Sequence, residues 1–182
     1  ITPADYFINS ESPEQLSEIS KIALKSKALL SQNKFEEVIK LLESAMPATP
    51  EANLMHILAI AYFKSQNFEK TQSLFQAALK IDPENVELLI DYGVIQKLNG
   101  NLSAAENLYQ KALEVDNDNL VATANLANLQ SELGKTDEAY QTYNKAIALD
   151  GSNATTHMNY GKFLYKNADY LNALNSFYSA LQ

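Results

Sequence analysis

The chain has 182 residues, 46% of them apolar, enough for one domain of ordinary size with a substantial core; it has no Cys, which excludes a disulfide, a thiolate nucleophile and a Cys-based zinc site. Its formal net charge is −8, from 14 basic and 22 acidic residues, and every basic residue is Lys. Without Arg or clustered positive charge the chain lacks the bidentate grip that nucleic acid rewards, and the same reasoning disfavours an anionic membrane surface. No apolar run approaches the ~20 residues that span a bilayer, and no basic, apolar, small-residue signal sequence is present. An initial Ile in place of Met reads as a processed form or a piece of a longer protein, and the sequence gives no compartment.

In chain order, residues 1–11 carry Tyr6, Phe7 and Ile8 and read as an extension that caps the N-terminal end of the domain, with docking into a neighbouring molecule's groove as the alternative. Ser12-Pro13-Glu14-Gln15 has the form of a helix start, because Ser caps, Pro suits the first turn and Gln15 completes a capping box. The first helix is therefore predicted to begin near Pro13. Beyond it the sequence repeats itself. Ala78-Leu79-Lys80-Ile81-Asp82-Pro83 is followed by Ala112-Leu113-Glu114-Val115-Asp116-Asn117, then by Ala146-Ile147-Ala148-Leu149-Asp150-Gly151 and a final Ala180-Leu181, each 34 residues after the last. A second anchor, Tyr92-Gly93, Leu126-Ala127 and Tyr160-Gly161, keeps the same spacing. A fixed period of this length signals stacked supersecondary units. Apolar residues recur at helical spacing within each period, predicting two helices per unit. Gly100 and Gly134 fall where the first helix of a unit should end in a left-handed residue, and Asp82-Pro83 should stop the second.

This pattern resembles the tetratricopeptide repeat: a large residue at position 4, Leu at 7, small residues at 8, 20 and 27, aromatics at 11 and 24, and Pro at 32. The units are placed at 19–51, 52–85, 86–119, 120–153 and 154–182, with 1–18 holding the extension and the start of the first helix. The second unit supplies Met55, Leu58, Ala59, Tyr62, Phe75, Ala78 and Pro83, with Thr71 departing from the small residue at position 20. The third supplies Leu89, Tyr92, Gly93, Ala105, Tyr109 and Ala112; the fourth Leu126, Ala127, Ala139, Tyr143 and Ala146; the fifth Tyr160, Gly161, Ala173, Phe177 and Ala180. The first is degenerate, matching mainly at Phe35, Leu42, Ala45 and Pro50. The predicted fold is all-α, a right-handed α-solenoid of five tandem helix-turn-helix repeats. One hairpin cannot bury its apolar face alone, so neighbours stack.

The resemblance implies a concave groove lined by the first helix of each unit, at positions 2, 5, 6, 9, 12 and 13, where an extended peptide or a helix of another protein lies. Position 6 reads Leu24, Ile57, Asp91, Asn125 and Asn159, with Asn128 one turn further on. The last units resemble the asparagine ladder in the repeat region of O-linked N-acetylglucosamine transferases, where side-chain amides hold a peptide backbone. An amide offers a donor and an acceptor, so it pairs with a peptide unit in either sense. Phe63, Leu98 and Tyr165 add apolar or stacking contacts, and Lys27, Lys64, Lys97, Lys162 and Lys166 add positive charge that suits a ligand with negative charge. The carboxylate clamp of chaperone adaptors is not matched, because Ala23 stands where that pattern needs a polar residue.

No catalytic motif, cofactor site or metal site is predicted. The glycines form no phosphate loop, and His56 and His157 stand in different units, without the convergent cluster a metal needs. At the end of the chain, Leu171, Leu174 and Tyr178 share one helix face at positions where most other units carry polar residues. Such a stripe marks a contact surface, covered by a following helix or domain or by a second copy. These features predict a non-catalytic protein-binding scaffold, of the kind that serves a bacterial assembly or secretion system. The alternatives are the substrate-recognition region of a larger enzyme such as a glycosyltransferase, and a self-assembling structural scaffold.

Overall fold

The computed structural model describes residues 17–46 and 51–182; the extension at 1–11, the helix start at Ser12–Gln15 and Pro50 lie outside them. The described residues form ten α-helices and no strand. None of these helices is long and apolar enough to cross a membrane. The chain divides into two compact units, one ending at Pro83 and the other starting at Glu84.

The first unit contains α1 (Glu18–Ser31), α2 (Phe35–Ala45), α3 (Ala52–Lys64) and α4 (Phe68–Ile81). Ser17 caps α1 by accepting the backbone N–H of Ser20. Val38, Leu42, Leu54, Ile57 and Leu58 form the core of this unit, with Tyr62 at its edge. The Tyr62 hydroxyl donates to the Glu43 carboxylate, and Lys70 donates to both (3.1 Å to Glu43, 2.6 Å to Tyr62). Those two hydrogen bonds, Tyr62 first and Lys70 second, hold the Glu43 carboxyl below its ordinary value.

The second unit contains α5 (Val86–Leu98), α6 (Leu102–Val115), α7 (Leu120–Glu132), α8 (Thr136–Leu149), α9 (Ala154–Lys166) and α10 (Tyr170–Ser179). Its helix starts recur every 34 residues because the same local signals recur. Asn85, Asn119 and Asn153 each stand just before a first helix and accept the backbone N–H three residues on, at 3.0, 3.0 and 2.9 Å. Gly100 and Gly134 end the turn inside a pair with φ of 81° and 74°. The corresponding residues Gln66 and Ala168 hold the same left-handed conformation, with φ of 63° and 62°, without being glycine. α4 ends at Ile81, where Asp82-Pro83 follows.

Paired helices approach through a small residue set against an aromatic. A methyl carbon on Gly93 would lie 2.5 Å from Cε1 of Tyr109, and one on Gly161 would lie 2.5 Å from Cε1 of Phe177. In the middle pair Ala127 takes this place and packs in one buried cluster with Tyr143, Tyr160 and Phe163. Tyr143 lies 5.2 Å from Tyr160 and 5.3 Å from Phe163 between ring centroids.

These geometries set opposite expectations for two small substitutions. Gly161→Ala improves helix propensity but overpacks the contact with Phe177, so it should destabilise by about 1–3 kcal/mol. Ala168→Gly relieves a left-handed residue at some cost in unfolded-chain entropy, so it should stabilise by roughly 0.5–1 kcal/mol. Urea unfolding of both beside the parent checks them together; a stabilised Gly161→Ala would contradict the close approach.

Candidate functional site

The first helices of the second unit, α5, α7 and α9, carry one polar side chain after another along a common face. Two cavities open there. The larger, 480 Å³, is lined by Lys97, Asn128, Glu132, Asn159, Lys162 and Lys166, with Tyr143 and Phe163 behind them. The smaller, 210 Å³, is lined by Val121, Ala124, Asn125, Asn128, Thr155 and Asn159 among others. Asn128 and Asn159 line both, so the cavities adjoin there, and Asn125 lines the smaller one beside them.

Asn128 is held from behind. The Tyr143 hydroxyl donates to its side-chain oxygen at 2.6 Å. Burial raises the Tyr143 hydroxyl well above its ordinary value, and the negative charge of Glu132 adds to the shift. The hydroxyl therefore stays protonated across the physiological range and acts as a fixed donor. With the oxygen engaged, the Asn128 amide keeps its N–H₂ as the group offered to a ligand. Lys97 is paired with Glu132 at 2.5 Å. Lys162 and Lys166 are exposed and form no ion pair with another described residue.

Asp91, also expected in a groove, lines a 400 Å³ cavity with Glu87, Ile90, Asp116 and Val121, and Val121 lines the 210 Å³ cavity too. Tyr165 is exposed and meets Tyr170 edge-on at 5.3 Å. Phe63 and Lys64 belong to the first unit: Phe63 packs edge-on against Phe68 at 5.9 Å, and Lys64 lines a 370 Å³ cavity with Lys34, Phe35 and Glu37. His56, expected on the groove side, is buried with its ring 5.6 Å from Phe75. His157 is buried as a packing residue, its Nε2 2.9 Å from the Gly151 carbonyl oxygen.

Two participants are hidden at the level of sequence. Glu132 stands at position 13 of its unit, one of the groove positions, yet its pairing with Lys97 spans 35 residues and leaves no local trace. Tyr143 reads as a core residue, as its ring is, while its hydroxyl reaches the groove. On α10, Leu171, Leu174 and Tyr178 are 72%, 51% and 60% exposed, so the apolar stripe lies open in this chain.

Tyr143→Phe should keep the ring packing and remove the hold on Asn128, costing about 1 kcal/mol in a urea melt. An unchanged midpoint would show that the hydroxyl–amide bond contributes nothing in solution.

A sequence model of the tetratricopeptide repeat matches residues 62–110 and 96–158. No curated protein matched the chain by sequence. Among solved structures, PilF of Pseudomonas aeruginosa is similar with a TM-score of 0.81 at 18% identity, over 89% of this chain and 74% of that one. MamA from AMB-1 is similar with a TM-score of 0.70 at 21% identity, over 88% of each chain. MamA from MSR-1 is similar with a TM-score of 0.70 at 20% identity, over 87% of this chain and 92% of that one. At these identities the likeness is one of fold.

Proposed function

The chain belongs to the tetratricopeptide repeat family, and from that premise we propose that the face of α5, α7 and α9 binds an extended segment of another protein and performs no chemistry on it. The repeats make the chain a protein-interaction scaffold in general. One observation supports the finer reading: Asn128 and Asn159 line both of two adjoining cavities, with Asn125 beside them. Side-chain amides in a row can pair with successive peptide units whatever the side chains of the ligand. Asn128, its oxygen held by Tyr143, presents donors to peptide carbonyls. We propose that the partner belongs to a bacterial assembly or secretion system; the Lys-only, Asn-rich composition, which a low-GC bacterial genome favours, supports the bacterial source.

The test is a pull-down from a lysate of the source organism with the parent chain and an Asn125→Ala/Asn128→Ala/Asn159→Ala variant as baits. The partner captured by the parent should be lost with the variant while helicity by circular dichroism is unchanged. Equal capture by both baits would rule out the groove as the binding surface.

A second reading, self-association through α10, is favoured by the exposure of Leu171, Leu174 and Tyr178. An apolar stripe of this kind in water marks a contact. It predicts a sedimentation mass that rises with concentration and returns to the monomer in Leu171→Asp/Leu174→Asp. A parent chain monomeric at every concentration rules this reading out.

A further inference from the structure

The charge around the groove is graded, and one of its acidic side chains sits where a ligand carboxylate would. The chain as a whole carries a net charge of −8. The 480 Å³ cavity nevertheless gathers Lys97, Lys162 and Lys166 around Glu132, the single acidic residue among its described lining. Beyond the asparagines the balance reverses. Among the described residues none that lines the 210 Å³ cavity is charged, and Val121 joins it to the 400 Å³ cavity that holds Glu87, Asp91 and Asp116. The face thus runs from acidic, through neutral amides, to basic.

The lysines are not equivalent. Lys166 closes α9 and Lys97 lies in the last turn of α5, where a cation is stabilised by the helix carbonyls. Lys162 stands before the last turn of α9, one helical turn from Lys166 on the same face, and forms no ion pair with another described residue. Lys97 is occupied by Glu132, with side-chain exposures of 27% and 50%. The pair is half-buried on the Lys97 side and open to water on the Glu132 side, where screening keeps its contribution at about the 0–1 kcal/mol of a surface pair, so an incoming carboxylate can displace Glu132.

We infer that this groove selects a peptide segment with carboxylate side chains at one end, seated among Lys97, Lys162 and Lys166, and that Glu132 fills part of that seat in the free protein. This rests on the reading of the groove as a peptide site. The acidic cavity at the far end repels the carboxylate end of the ligand and so fixes its direction. On binding, the ligand carboxylate takes over Lys97, and Glu132, half exposed already, turns to solvent. Specificity follows from the exchange: a neutral peptide cannot replace Glu132, so it gains nothing at this end of the groove.

The experiment is selection of a random 12-residue phage-displayed peptide library on the parent chain, followed by fluorescence-polarisation titration of labelled selected peptides. Selected sequences should be enriched in Asp and Glu at one end. Glu132→Gln should bind them about two- to fivefold more tightly, the scale of one partly exposed ion pair removed. It should leave their Asn- and Gln-substituted versions unchanged. Lys162→Ala/Lys166→Ala should weaken the acidic peptides roughly tenfold, with an affinity that falls as salt rises. Peptides that lack acidic enrichment but are still lost with the triple asparagine variant would overturn this inference and leave the groove standing. The same holds for acidic peptides that Glu132→Gln binds no better. A parent chain that selects no peptide, or one whose peptides survive the triple variant, overturns both.

Discussion

The structure depends on how closely two helices of a pair can approach. At Gly93 and Gly161 the gap is filled by Tyr109 and Phe177 so tightly that one added methyl carbon would collide with the ring. Close packing of a small residue under a large aromatic gives each pair a single arrangement, since interiors tolerate neither a void nor an extra methyl group. Repetition of that arrangement every 34 residues puts α5, α7 and α9 side by side in the second unit, which is what makes a continuous face.

The same device reaches the functional surface. In the middle pair the aromatic is Tyr143, whose ring packs with Ala127, Tyr160 and Phe163 while its hydroxyl holds the oxygen of Asn128. A core residue thereby orients a groove residue, and burial keeps its hydroxyl in the donating form. Preorganisation of this kind lowers the cost of fixing a side chain when a ligand arrives. Lys97 and Glu132 add a second layer, because the acidic residue lining the basic cavity is already engaged with one of its lysines.

Much of the fold is legible in the sequence because it is carried by local, repeated signals. The turn glycines at 100 and 134, one period apart, and the stop at Asp82-Pro83 each act within a few residues. The asparagines are half legible. Asn125, Asn128 and Asn159 stand out by register, whereas the equally periodic Asn85, Asn119 and Asn153 declare themselves as caps of α5, α7 and α9 only once the helix starts are fixed. Gln66 and Ala168 adopt a left-handed conformation that neither residue type advertises; only their spacing from Gly100 and Gly134 gives it away. The pairing of Lys97 with Glu132 is invisible in sequence because it joins different helices and depends on how they are packed. Register places Phe63 and Tyr165 in the groove, yet each is engaged by an aromatic neighbour at the start of the next helix, Phe68 and Tyr170.

The central claim is that the amides of the α5–α7–α9 face meet the ligand backbone. The most direct measurement tracks the side-chain N–H₂ resonances of Asn125, Asn128 and Asn159 in a ¹⁵N-labelled chain during titration with a peptide selected on the parent protein. All three should shift together and saturate with the binding isotherm, while the side-chain amide of Asn67, the cap of α4 in the first unit, stays in place. Saturable binding that leaves the three groove amides unmoved would contradict the claim.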